Sequence, residues 1–156
     1  MYKKVLVAVT AAAALLVVGL VGPHAFAGEN TTAVRVRAAT VTGDKAPFLS
    51  VVDGSPVPEY TFQVTITVRH RRVVAVAGTY LNCGATSCTV NSGRNMFNDA
   101  IAGLDRQAVD AVRRGQIDSL AYNGGQGAAT DAAIADMYKR SLRSAVAKAS
   151  ARGLLG

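Results

Sequence analysis

The stretch Tyr60-Thr61-Phe62-Gln63-Val64-Thr65-Ile66-Thr67-Val68 decides the fold of this chain. Large apolar residues occupy every second position of this stretch, and threonine or glutamine stands between them. Side chains alternate between the two faces of a β-strand, whereas a helix would scatter the same apolar set around its circumference. The pattern therefore predicts a strand with one face in the core and one face toward water.

The segments on either side of this strand favour further strands. Residues 73–81 are rich in valine and follow the charged residues 70–72, which predicts a hairpin partner. Near the N-terminus, residues 34–39 alternate between apolar and basic or small side chains, which predicts a first strand. Residues 43–58 carry many Gly, Pro, Asp and Ser, which predicts a long connection with a short strand at 48–52.

The hydrophobic period changes after the cysteine region. Apolar residues then recur at spacings of three and four, which predicts a helix capped by Asn91 or Ser92 and stopped by Gly115. A second amphipathic helix is predicted to begin at Thr130 or Asp131. Strands followed by helices predict an α+β fold, with a small antiparallel sheet and two C-terminal helices packed on it.

The first 27 residues read as a transport signal. Lys3 and Lys4 precede an apolar run over residues 5–21, and residues 25–27 are Ala-Phe-Ala. This arrangement predicts a signal peptide over residues 1–27 that is cleaved after Ala27, and hence an extracytoplasmic protein, secreted or at the cell surface. The alternative is an uncleaved N-terminal membrane anchor, because the run is close to the lower limit of about 17 residues for a spanning helix.

Cleavage would leave 129 of the 156 residues, which suits a single compact domain over residues 33–150. We expect residues 28–58 to form an N-terminal strand and loop region. The formal charge of +7 falls to +5, because the signal holds two lysines and no acid. The basic residues are scattered and few aromatics stand among them, so we expect no nucleic-acid partner.

Cys83 and Cys88 are the two cysteines of the chain. Outside the cytoplasm, two thiols at this spacing predict a disulfide that closes a small ring at the end of a hairpin. A zinc site would need two more ligands, and His70 stands alone in the mature chain. We therefore expect no metal.

Residues 121–130, Ala-Tyr-Asn-Gly-Gly-Gln-Gly-Ala-Ala-Thr, have a composition that requires an unusual backbone. Three glycines in four positions leave amide groups uncovered, and the loop leads directly into a helix. A helix start with free N–H groups is suited to a phosphate. The alternative is a plain glycine-rich connection between two helices.

From residue 62 to residue 149 the chain resembles the FMN-binding domain family of exported and membrane-attached flavoproteins, including subunits of sodium-pumping and Rnf-type complexes. Residues 64–76 are similar to the family's strand, charged turn and strand. Residues 97–118, which open with Phe-Asn and close with Gln-Ile-Asp, are similar to its helical segment. Residues 137–146 are similar to the helix that follows its flavin loop. The resemblance covers about two thirds of the mature chain and makes residues 59–150 the FMN-binding-like part.

The flavin loop itself departs from the family's pattern. There an Asp is followed after two residues by Ser-Gly-Ala-Thr, whose threonine can carry FMN covalently. Here Asp118 precedes a longer loop, and residues 126–130 are the nearest match, with an extra alanine and no serine. The resemblance thus favours non-covalent FMN. The cofactor-binding residues that it implies are Asp118, Tyr122, Gly124, Gly125, Gln126, Gly127, Ala128, Ala129 and Thr130.

The function that the resemblance implies is electron transfer by bound flavin, either by a free secreted protein or by one that docks on a membrane redox partner. Nothing in the sequence resembles a catalytic triad or a carboxylate pair placed for hydrolysis, so no catalytic residue is predicted and a hydrolase is disfavoured. The alternative is a secreted binding or structural module that keeps the fold without flavin, because a loop freed from a cofactor would lose the Ser-Gly-Ala-Thr motif.

Overall fold

The alternating stretch lies at the centre of the sheet in the computed structural model, which describes residues 37–52, 55–84 and 87–156. The predicted signal peptide lies outside these residues. Val34–Gly156 belongs to one compact unit. The strands are β1 Ala39–Thr42, β2 Ala46–Val52, β3 Ser55–Arg69, β4 Arg72–Cys83 and β5 Cys88–Val90. The helices are α1 Met96–Arg113, a short 3-10 helix Ile117–Ser119, and α2 Ala128–Ala151.

These elements confirm the predicted α+β fold, a curled antiparallel sheet with two C-terminal helices. The sheet order is β1-β3-β4-β5, and β2 pairs with β3 beside β1. The predicted alternation of β3 is confirmed, because its apolar residues point into the core. Its fully or almost fully buried side chains are Phe62, Val64, Ile66 and Val68.

The predicted hairpin of β3 and β4 is also confirmed. Arg69 pairs with Arg72, and the two residues between them form the turn. His70 and Arg71 both have positive φ, at 51° and 60°. The sequence did not predict β5. This strand follows β4 and extends the sheet, with Cys88 paired to Cys83.

Both helices begin at residues other than those predicted. The cap of α1 is Asn95, whose side-chain oxygen accepts hydrogen bonds from the amides of Phe97 and Asn98, at 3.0 Å each. Asn91 instead accepts a bond from Gly93 N in the preceding turn. Helix α2 begins at Ala128, before the predicted start, because its first turn lies ahead of the apolar stripe on which the prediction rested.

The N-terminal predictions need correction. The predicted short strand at 48–52 is confirmed as part of β2. Residues 43–58 are otherwise not one long connection, because β2 and the start of β3 pair across most of this segment. The prolines misled the prediction, but proline is tolerated where a strand lacks a neighbour on one side, and β3 pairs with β4 only from Tyr60 onward. The first strand begins at Ala39, so Arg37 and Ala38 precede it. Residues 34–36 of the predicted strand lie outside the described residues.

Helix α2 is fixed to the sheet where β1 gives way to β2. There the Ser141 hydroxyl accepts a hydrogen bond from Val64 N at 2.8 Å and donates to Asp44 O at 2.7 Å. Gly43 N donates to Val64 O at 2.8 Å. A side chain at Gly43 would collide with the backbone carbonyl of Ser141. Glycine at position 43 therefore lets the helix approach closely enough for its serine to serve a strand amide.

Candidate functional site

The start of α2 is the part of the predicted site whose backbone is suited to an anion. Gly127 is the N-cap residue, with φ of 102° and ψ of 143°, and no side chain caps the helix there. The first helical hydrogen bond runs from Asp131 N to Gly127 O at 3.0 Å. The amides of the first three helical residues, 128–130, accordingly have no partner within the helix. Such amides and the positive end of the helix dipole attract negative charge.

Asp131 occupies the inner side of the glycine turn. Its side-chain oxygen Oδ2 accepts hydrogen bonds from Gly124 N at 2.9 Å and from Gly125 N at 3.1 Å. The residue is only 7% exposed, and its other oxygen, Oδ1, has no hydrogen-bond partner among the described residues. Two of the amides that the sequence suggested for a phosphate therefore already bind a carboxylate of the chain itself.

Sequence reasoning did not select Asp131 as a site residue. The available signal was an acidic residue in the first turn of a helix that follows a glycine run. Carboxylates at that position are stabilised by the helix dipole and by free amides. Its contact with Gly124 and Gly125 across the turn could not be anticipated, because it depends on how the glycines fold back.

Tyr122 packs against the core beside the same turn. Its ring lies so close to Gly124 that a Cβ at position 124 would overlap it, which explains why that position holds glycine. Burial raises the pKa of the Tyr122 hydroxyl, and the charges of Asp131 and Asp99 raise it further. Tyr122 is thus a neutral, half-buried ring at the edge of the candidate site.

The remaining predicted residues are more exposed. Asp118 lies on the short 3-10 helix, its side chain is 84% exposed, and it forms an ion pair with Arg143 of α2. Gln126, Ala128 and Ala129 are exposed, and Thr130 is half-buried. The structure therefore brings residues 122–131 together, whereas no hydrogen bond within the described chain joins Asp118 to the glycine turn.

A second polar cluster lies between the helices and β4. Asp105 of α1 accepts hydrogen bonds from Gly78 N, at 2.9 and 3.1 Å to its two oxygens, and from the Tyr138 hydroxyl of α2. Burial raises the pKa of Asp105, although the bonds from Tyr138 and Gly78 oppose the shift. The pKa of Tyr138 is raised far above its usual range by burial and by Asp105. The cluster joins three elements and opens onto none of the depressions described below.

The predicted disulfide is present. It joins Cys83 to Cys88 across β4 and β5, with Cα atoms 4.0 Å apart. Lys45 Nζ lies 3.2 Å from the Cys88 sulfur. Within the described chain, no three histidine, cysteine or acidic side chains come together as metal ligands would. No helix of this part is both long and apolar enough to cross a bilayer.

The fold and the helix start define an α+β domain with an anion-compatible turn. Comparison with known proteins adds no family assignment, since no protein-family model, no curated protein and no solved structure matches this chain.

Proposed function

We propose that this chain is an exported FMN-binding domain protein that transfers electrons outside the cytoplasm. The observation that carries the proposal is the start of α2, where a glycine-rich turn leads to a helix with no side-chain cap. The order of strand, charged turn, strand, helix, glycine loop and helix supports it, because the FMN-binding family has the same order. Export is proposed from the leader over residues 1–27.

The residues at the turn fit an FMN phosphate in one part and not in another. The amides of residues 128–130 remain for the phosphate, and the Thr130 hydroxyl lies on the same turn. Gly124 and Gly125 donate to Asp131 instead, so their role is to shape the turn. Tyr122 would border the isoalloxazine ring. When bound, the flavin supplies the redox chemistry and the chain supplies its binding and orientation.

The test is direct binding of flavin. The protein is purified from a flavin-replete host, dialysed and examined by visible absorption, and FMN fluorescence is then titrated with it. We expect flavin absorption bands that survive dialysis, or quenching of added FMN. A colourless protein that leaves FMN fluorescence unchanged would refute the proposal.

Thr130 separates two modes of attachment. Non-covalent FMN should be released when the protein is denatured, both in the wild type and in Thr130→Ala. Flavin that stays on the denatured wild type but is absent from Thr130→Ala would instead demonstrate a covalent bond at this threonine.

Asp131 gives a sharper test of where the phosphate sits. The substitution Asp131→Asn keeps an oxygen for the glycine amides but removes a negative charge next to the helix start, so we expect the Kd for FMN to fall severalfold. Asp136→Asn is the matched control, because it removes the same charge from an exposed position of α2 that is paired with Arg140. Equal effects of the two substitutions would show that the phosphate does not lie at this turn.

A second function is favoured by the contact of Asp131 with the glycine turn. A turn whose amides are satisfied by the chain's own carboxylate needs no ligand to be stable. On this reading the protein is a secreted binding or structural module with the same fold and without flavin. Absence of FMN binding in the wild type and in Asp131→Asn alike would support this second candidate.

A further inference from the structure

The β3–β4 hairpin and the end of α1 together form a strongly basic surface. We define the basic hairpin surface as Arg69, His70, Arg71, Arg72 and Arg113. The first four are consecutive in the chain, and Arg113 is brought to them from α1 by its Nε, which donates to Val73 O at 3.0 Å. All five side chains are exposed. The sequence showed the run at the hairpin but could not show that α1 adds a fifth basic residue.

Three adjoining depressions surround this surface, with volumes of about 380, 660 and 300 Å³. Arg72 and Arg113 line both of the first two, and Arg71 lines the first and the third. Val112, Val146 and Leu155 form apolar parts of the first. No acidic side chain lines any of the three, and the last residue of the sequence, Gly156, lines the first. The positive charge is therefore spread around the whole hairpin end and is not focused in one pocket.

These cations are also free of acidic partners within the described residues. The ion pairs found there use Arg114, Arg140, Arg143 and Lys148. Arg71 and Arg113 donate instead to the backbone carbonyls of Leu155 and Val73, which orients them without neutralising them. A cluster of unneutralised like charges repels itself, and an external anion would relieve that repulsion.

The turn that presents the cluster is conformationally costly. A two-residue hairpin turn with positive φ at both positions strongly favours Asn-Gly, because other residues meet steric strain there. This chain places His70 and Arg71 at those positions. A strained turn of basic residues is a pattern expected where the side chains serve binding at some expense of stability.

We propose that the basic hairpin surface docks on an anionic phospholipid bilayer. A bilayer presents a broad, flat array of anionic headgroups, which suits positive charges that surround a hairpin end on several sides. A small anion would engage only one depression. Val74, a β-bulge residue that is 42% exposed, adds an apolar side chain beside the arginines. A nucleic acid is disfavoured, because none of the three depressions is lined by a Phe, Tyr or Trp ring on which a base could stack.

The test is co-sedimentation with vesicles, using protein that lacks residues 1–27 so that the apolar leader does not itself insert. The remaining chain contains the compact unit Val34–Gly156 with its own core. We expect binding to vesicles of phosphatidylcholine mixed with phosphatidylglycerol, no binding to phosphatidylcholine alone, and weaker binding as salt is added. The substitution Arg72→Gln should lower partitioning about fivefold.

Two variants distinguish vesicle binding by this surface from an effect of net charge and from an effect of stability. Arg106→Gln removes an equal charge from α1, at a depression that also holds Asp110, and should leave binding unchanged. The double substitution His70→Asn with Arg71→Gly should raise Tm and lower vesicle binding, since it relaxes the turn and removes charge. Failure to bind the anionic vesicles at low salt would overturn the proposal. So would equal losses in Arg72→Gln and Arg106→Gln, or full competition by millimolar inorganic phosphate, which would indicate a small-anion pocket.

Discussion

Two polar residues of the helices, Ser141 and Asp105, hold the helices to the sheet at positions where apolar residues would leave strand amides unpaired. Ser141 is 1% exposed and serves Val64 N. Asp105 serves Gly78 N and is in turn bonded by Tyr138. Buried backbone donors without a partner cost free energy, so each side chain stabilises a specific placement of its helix.

We predict that Ser141→Ala lowers the free energy of unfolding by about 1–3 kcal/mol, because Val64 N then lacks its acceptor in a buried setting. Chemical denaturation followed by circular dichroism would measure the change. Ser144→Ala is the matched control on the same helix, since Ser144 bonds to Asp44 at an exposed site. A loss no larger than that of the control would show that water replaces the serine.

Asp105 should make stability depend on pH. Burial raises its pKa in the folded state, so on raising the pH the unfolded chain ionises first. The stability that Asp105 contributes, compared with Asp105→Asn, is then fully present below the ordinary carboxyl pKa. It is lost as the pH rises through the raised pKa of the folded state. Urea denaturation of both proteins across this range would measure the difference.

Asp44 supplies a comparison of opposite sign. Hydrogen bonds from Lys148 and Ser144 lower its pKa, so its contribution is present above the ordinary carboxyl pKa and is lost as the pH falls through the lowered value. Asp44→Asn should therefore have a lower free energy of unfolding than the wild type at neutral pH, and this difference should disappear in acid. If the free energies of unfolding of the wild type and of Asp105→Asn changed with pH in parallel, the account of Asp105 would be contradicted.

At the scale of elements, the sequence was most informative where one face of an element is buried. The alternation of residues 60–68 and the spacing of three and four in both helices led to the correct elements, because burial imposes those periods directly. The starts of the helices were missed, since Asn95 and Gly127 are set by local turns. The pairing of β1 with β3 depends on contacts 23 or more residues apart, and no local pattern encodes it. β2 and β3 instead form a hairpin in which Val52 pairs with Ser55, and the glycines and prolines of residues 43–58 concealed it.

The position of the candidate site could be predicted from the sequence, but the contacts within it could not. Glycine content identified the turn before α2, because positive φ at Gly125 and Gly127 requires it. The engagement of Asp131 with that turn, and the separation of Asp118 from it, follow from the three-dimensional course of the loop. FMN as the ligand stays a prediction from resemblance.

The disulfide links β4 covalently to β5. Replacing both cysteines by serine should lower the free energy of unfolding by about 2 kcal/mol, the value expected for so short a ring. Thermal unfolding with and without reductant would measure it: reductant should lower the Tm of the wild type and not that of the double variant. Equal stability of the two proteins would show that the strands hold together without the bond.

At the scale of the whole molecule, one core includes residues of both helices and of β1 to β4. We therefore expect a single cooperative unfolding transition. Leu142→Ala in α2 should lower the free energy of unfolding by about 2–5 kcal/mol. It should shift the far-ultraviolet signal and the near-ultraviolet tyrosine signal together, and separate transitions would contradict a common core.

The two outer margins of the sheet are short and interrupted. On one side β1 has four residues and β2 has seven, with residues 43–45 between them. On the other side β5 has three residues, and the rest of the margin is β4, which carries a bulge at Val74 and is covered by α1 side chains on Val73 O and Gly78 N. A long, straight margin would be a template for the strand of another molecule, and interruption removes that template. The same break that Ser141 fills should thus protect concentrated protein from growing into fibrils through sheet extension.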